Sequence, residues 1–183
     1  EVTHCYQQVV TEDQYRARNF IRDGMYVLDV GANFGCFTLL TSGLGANVVA
    51  IEPIPGNVKC LELLKTRQGL AFEIVQNAAS DCQGTAVIQC SFDSVSGGSF
   101  IVDDATADGS AFIEIPTETI DNIVGRLHLP HVDFIKADTE GHEHQVLQGA
   151  VQTLHRFHPT LAISAYHKPT DSTSLPELLR SLA

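Results

Sequence analysis

Residues 27–35 read Val27-Leu28-Asp29-Val30-Gly31-Ala32-Asn33-Phe34-Gly35. An apolar run ends in a turn bounded by two glycines and passes into a second apolar-patterned segment, Cys36 to Leu40. A buried parallel strand that turns sharply into a helix reads this way. The glycines let a ligand approach the backbone, and the helix start behind them offers free N–H groups. In open α/β sheets such a turn lies in the crevice beyond the strand ends, where nucleotides bind. The stretch therefore predicts a site for an adenosine-containing cofactor.

The rhythm continues outward from this turn. Strand one is Tyr26–Val30, and its helix runs to about Ser42 and stops at Gly43 and Gly45, the usual punctuation of a helix end. Strand two is Asn47–Glu52, with Val48, Val49 and Ile51 as its apolar content. Pro53 and Pro55 close it and open a helix, because proline suits a first helical turn. Val58, Leu61 and Leu64 share one face of that helix, and strand three follows at Phe72–Gln76, ending at Asn77. This βαβαβ order predicts a parallel sheet with right-handed crossovers. In the middle, Thr85–Cys90, Ser99–Val102 and Ala111–Ile115 are short β-type runs, with Ser96-Gly97-Gly98 and Asp108-Gly109 as turn signals. They are expected to form two or three antiparallel strands beside the main sheet, with Ser91 to Ser110 either a mobile lid or a surface meander. The βα rhythm then resumes: a short helix at Thr119–Gly125, strand four at Val132–Ala137, an amphipathic helix from about Glu143 to His155, strand five at Thr160–Ala165, and a last helix at Leu175–Leu182.

A length of 183 residues suits one domain, and a chain of that size buries roughly 70% of its unfolded surface. The hydrophobic share of 44% and mean hydropathy of +0.04 are those of a soluble globular protein. No apolar run approaches the ~20 residues of a membrane span. The net charge of −11 would repel a phosphate backbone, so nucleic acid is a poor partner. The five cysteines are odd in number and form no C-x-x-C pair, which suggests neither a zinc site nor a disulfide framework but reduced thiols in a cytoplasmic protein. Cys36 and Cys60 lie in helical patterns and read as packing residues. Glu1 to Cys5 has neither the basic start nor the apolar core of a secretory leader.

Chemistry is carried by a few positions. A dinucleotide fingerprint wants G-x-G-x-x-G; here Asn33 holds the middle position and no third glycine is suitably placed. A sulfonium nucleoside has no pyrophosphate that demands the second glycine, so a methyl-donor site tolerates the pattern. The alternative is a purely structural tight turn. Glu52 closes strand two, where an acid can accept hydrogen bonds from ribose hydroxyls or simply sit solvated. Asn77 could meet the adenine edge or serve as a turn former, and Asp81 carries the same ambiguity. The densest polar cluster, Asp138-Thr139-Glu140-Gly141-His142-Glu143-His144, follows strand four, and His167 ends strand five on the same sheet edge. Carboxylates and histidines around one cleft suit proton abstraction from a hydroxyl. The same groups could take a divalent metal or serve as first-turn helix acids; no resident metal is expected. His142 and His144 read equally as exposed first-turn residues, and His128, His131, His155 and His158 as surface or packing residues.

Together these residues resemble the FkbM-type methyltransferases. The resemblance rests on residues 27–35, on Ala50-Ile51-Glu52-Pro53 and Asn77-Ala78-Ala79, on Thr119-Ile120-Asp121 and on Asp133-Phe134-Ile135-Lys136-Ala137-Asp138-Thr139-Glu140-Gly141-His142-Glu143. It closes with Val146-Leu147-Gln148-Gly149-Ala150 and Tyr166-His167-Lys168-Pro169. It implies a Rossmann-like class I methyltransferase fold of the α/β class: a mostly parallel central sheet, helices on both faces and a small antiparallel β insertion at 84–116, all within one domain over 1–183. It implies S-adenosyl-L-methionine as cofactor and O-methylation of a hydroxyl on a sugar or small natural product; the net charge and the lack of a spanning apolar run argue against nucleic acid and membrane as partners. By the same resemblance Asp29, Gly31, Asn33, Gly35, Glu52, Asn77 and Asp138 surround the cofactor. Asp138, Glu140, His142 and His167 line the acceptor side, and His142 or His167 removes the hydroxyl proton. The competing readings are an NAD-dependent oxidoreductase and a non-catalytic cofactor-binding protein; a nucleic-acid N-methyltransferase is disfavoured by the charge and by the lack of a proline pair after Asp138. Family members usually continue into a β-hairpin that completes the sheet. With the sequence stopping at Ala183, the expectation is either a truncated or disordered terminus or an incomplete sheet with its edge exposed by strand five.

Overall fold

Alternation along the strands decides the layers. The chain is described by a computed structural model over residues 2–90, 99–102 and 111–182. It opens with α1 (Val2–Tyr6), a π-helical turn (Gln7–Thr11) and α2 (Ala17–Phe20), none of which the sequence pattern announced. Then come β1 (Tyr26–Val30), α3 (Cys36–Gly43), β2 (Asn47–Ile51), α4 (Pro55–Gln68) and β3 (Phe72–Val75). The middle holds β4 (Ala78–Ala79), β5 (Gly84–Cys90), β6 (Ser99–Val102) and β7 (Ala111–Glu118). The last third comprises α5 (Ile120–Arg126), β8 (Phe134–Ala137), α6 (Glu143–Gln148), α7 (Val151–Phe157), β9 (Thr160–Ile163) and α8 (Asp171–Leu182). The turns expected at Ser96-Gly97-Gly98 and Asp108-Gly109, and the choice between lid and meander, lie outside the described residues.

The main sheet has the order β3-β2-β1-β8-β9, every neighbouring pair parallel. The chain winds outward from β1 to β3, then returns to the other side of β1 with β8 and β9. The order therefore reverses between β1 and β8, where open α/β sheets bind their ligands. Val27, Val48, Ala50, Phe72 and Phe134 face one way and pack with Phe37, Leu40 and Leu61 of α3 and α4. Leu28, Val30, Val49, Ile51, Val75 and Ile135 face the other and pack with Ile120, Ile123, Val124, Val146 and Ala150. Helices thus cover both faces, as a parallel sheet requires. The middle strands form a separate sheet, β4-β7-β5-β6, antiparallel except for the β4–β7 pair.

Two elements differ from expectation. The helix expected from Glu143 to His155 is broken at Gly149-Ala150. A Cβ on Gly149 would fall onto the Ser80 carbonyl oxygen, and the Gly149 carbonyl accepts the Asp121 N–H at 2.9 Å. Asp121 then accepts the N–H groups of Gln152 and Thr153 at 3.0 and 2.8 Å and so caps α7 anew. The last helix starts at Asp171 rather than Leu175, because the Asp171 carboxylate accepts the Lys168 N–H at 2.7 Å and organises an earlier turn. Among the described residues no helix is long and apolar enough to cross a membrane.

Candidate functional site

The turn after β1 sets the geometry. Gly31 has φ +71°, and a Cβ there would fall onto the backbone oxygen of Asp138. Only glycine lets the loops after β1 and β8 pass this closely. Gly35, φ +86°, caps α3, and a Cβ would come within 2.7 Å of Leu61 and 2.9 Å of Leu64. Between them Asn33 is left-handed (φ 52°) and its N–H donates to Glu52 Oε2 at 2.8 Å. Glu52 also accepts from the Ile54 N–H (2.9 Å) and Asn57 Nδ2 (3.1 Å). Burial lifts its carboxyl above the usual Glu value, against the pull of these donors.

A cavity of about 670 Å³ opens at this edge. Its wall includes Gly31, Asn33, Glu52, Asn77, Asp138, Glu140 and His142, so the structure gathers these seven expected residues at one place. The N-terminal segment, missed from the sequence, adds His4, Cys5, Gln8 and Tyr15.

Asp29 departs from expectation. It is fully buried beneath the turn, off the cavity wall, taking the Thr38 hydroxyl at 2.6 Å and pairing with Lys136 Nζ at 3.2 Å. The two are register partners on β1 and β8. The Lys136 ammonium also donates to the carbonyls of Gly31 (2.7 Å) and Val30 (3.2 Å). Burial pulls that ammonium down, but Asp29 and Asp138 outweigh it and the net shift is upward. Asp29 thus anchors the cation that ties down the turn.

Asp138 takes the Tyr15 hydroxyl at 2.7 Å and lies 3.4 Å from both Tyr166 Oη and His167 Nε2. Burial raises its carboxyl; the Lys136 charge and the Tyr15 hydroxyl outweigh burial and hold it below the ordinary Asp value. Burial and then Asp138 push the Tyr15 phenol upward. Glu140, left-handed at φ 53°, lies 3.5 Å from His167 Nε2, and burial raises its carboxyl. His167 is not on the cavity wall but one layer behind it. Its Nδ1 lies 3.1 Å from Glu143 Oε1, which also accepts the Thr139 and Gly141 N–H groups at 2.8 and 3.4 Å. His142 Nε2 is 3.1 Å from Ser80 Oγ. Asn77 is at the wall with its amide donated to Glu118 at 2.7 Å. His144 lies 2.8 Å from Ser174 Oγ, joining α6 to α8 away from the cavity.

Sequence reasoning missed Tyr15, Ser80 and the role of Glu143. Nothing local marks Tyr15. Lys136 carried a signal: a lysine inside the apolar run Phe134–Ala137 needs a buried acid, and Asp29 is the acid in the neighbouring apolar strand.

Residues 29–183 match the family model described as the methyltransferase FkbM domain, and the chain belongs to that family. The cofactor that goes with membership is S-adenosylmethionine. No curated protein sequence matches significantly. Among solved structures, the methyltransferase FkbM from Methylobacillus flagellatus KT superposes with a TM-score of 0.65 at 21% identity, over 97% of this chain and 47% of that one. This chain thus spans about half the length of that relative. An rRNA methylase from Streptococcus thermophilus (TM-score 0.56, 13% identity, 96% of this chain and 80% of that one) shares the fold. So does a SAM-dependent methyltransferase from Agrobacterium tumefaciens (0.56, 14%, 97% and 50%). The cavity fits the cofactor chemically. Two buried wall oxygens, Asn33 Oδ1 and Thr139 Oγ1, lack a partner among the described residues, as acceptors awaiting a ligand's donors would. Asp138 and Glu140 complement a positive sulfur.

Proposed function

We propose that the chain is a single domain that methylates a hydroxyl oxygen of a sugar or other small natural product, in the cytoplasm, with no nucleic-acid partner. The observation that carries the reading is the convergence of Gly31, Glu52, Asp138, Glu140 and His142 on one cavity at the β1–β8 switch point. The net charge of −11 argues against a nucleic-acid acceptor, although the Streptococcus thermophilus fold neighbour is an rRNA methylase. The missing third glycine and the family membership both favour a methyl donor over a nicotinamide.

When bound, S-adenosylmethionine supplies a methyl on a positively charged sulfur, open to in-line displacement by the acceptor oxygen. The chain's part is positioning. The Gly31–Gly35 turn admits the methionine end, Glu52 accepts a ribose hydroxyl with the lone pair left on Oε2, and Asn77 stands beside the adenine. Asp138, fixed by Tyr15, orients the acceptor side. His142, the acceptor-side histidine on the cavity wall, accepts the hydroxyl proton at a ring nitrogen, which for Nε2 requires that it first leave Ser80 Oγ; His167 acts from behind, through Asp138 and Glu140. Such a base contributes roughly 10²–10⁴-fold.

The test is calorimetric titration with S-adenosylmethionine and S-adenosylhomocysteine, followed by a hydroxyl-acceptor screen read by mass. His142→Ala is expected to keep cofactor affinity and lose turnover by about that factor. Full turnover in both His142→Ala and His167→Ala would remove the base assignment. Cofactor binding without transfer to any hydroxyl compound would favour a non-catalytic binding protein.

A further inference from the structure

The sequence from Gln68 to Gly125 contains no Lys, Arg or His, yet holds nine Asp or Glu. This run gives the cavity wall Asn77, then Ala78 and Ala79 of β4, and Ile88 of β5. It also includes residues 91–98 and 103–110, so wherever those lie they bring no cation. Among the described residues of the wall the sole Lys or Arg is Lys136. Its three donors are taken by Val30, Gly31 and Asp29. Lys168 packs against Gly141 but is not on the wall. On the acceptor side a phosphate or carboxylate would therefore meet no available Lys or Arg and would face Asp138 and Glu140.

What the wall does offer is the complement of an ammonium. Glu140 is 41% exposed, with His167 Nε2 at 3.5 Å. Tyr166 is 70% exposed, its ring lying 4.4 Å from that of His167 and its hydroxyl 3.4 Å from Asp138. An accessible carboxylate beside an exposed aromatic face is the arrangement that recognises organic cations. Resting on the reading of a hydroxyl acceptor, we infer that the acceptor carries a protonated amine and no phosphate or carboxylate, as an amino sugar does, with the ammonium seated between Glu140 and the Tyr166 ring.

The test uses monosaccharides matched in hydroxyl pattern: glucosamine and galactosamine, glucose and galactose, glucuronate and galacturonate. Binding to protein saturated with S-adenosylhomocysteine is read by saturation-transfer NMR, and methyl transfer from S-adenosylmethionine by mass. The amino sugars are expected to bind about tenfold tighter than the neutral ones, with the preference shrinking as salt rises and the uronates not binding. Glu140→Gln should remove most of the preference, whereas Lys168→Ala should leave it intact. Uronates bound or methylated as well as the amino sugars, or a preference untouched by Glu140→Gln, would overturn the inference and leave the hydroxyl-acceptor reading standing. Tight cofactor binding with no sugar of any charge bound or methylated would overturn that reading and the inference with it.

Discussion

Lys136 and Asp29 show most plainly how single residues shape this site. Each alone is a buried charge; together they anchor the carbonyls of the glycine turn. Lys136→Met should therefore cost about 3–5 kcal/mol in denaturant unfolding, because it strands Asp29, and the double change with Asp29→Leu should cost less than Lys136→Met alone. Gly31→Ala demands a left-handed alanine and drives its Cβ onto Asp138, so it should destabilise by about 1–3 kcal/mol or more and loosen cofactor binding. Asp138 has a depressed carboxyl, so its stabilising contribution is present above the ordinary Asp value of 3.8 and is lost as pH falls through its folded value. The gap in Tm between the protein and Asp138→Asn should be open at neutral pH and close on acidification. A gap independent of pH would show that the interactions around Asp138 do not depend on its charge.

At the scale of elements, strands were more legible than helix breaks. Tyr26–Val30 follows directly from an apolar run bounded by turn signals, since burial on a sheet leaves a local pattern, and the bounds expected at Ser99–Val102 are those of β6. The break at Gly149-Ala150 was not legible, because its cause is the distant Ser80 carbonyl and the Asp121 cap, and apolar periodicity runs straight across it. The same holds for the site. Gly31, Glu52 and Asp138 were readable because parallel strands deliver their C-terminal ends to one edge. Tyr15 and Asp29 were misplaced or missed because a single strand's sequence does not say which neighbour satisfies a buried charge. Asp121→Ala removes the cap of α7 and should cost about 1–2 kcal/mol. If α7 were merely a continuation of α6, the substitution would be nearly silent in thermal unfolding.

The whole molecule is a doubly wound sheet whose order reverses at β1 and β8, with the N-terminal segment closing over the resulting crevice. Everything functional in this account follows from that crevice being shaped for an adenosyl sulfonium. Saturation with S-adenosylhomocysteine at 100 times its Kd should add about 2.7 kcal/mol, a Tm rise of about 5–10 °C for a chain of this size. The most direct measurement is calorimetric titration of S-adenosylmethionine into the protein and into Glu52→Ala. One site per chain is expected, weakened at least about tenfold by the loss of Glu52, the proposed ribose acceptor. Absence of binding heat together with an unchanged Tm, or equal affinity in the variant, would contradict it.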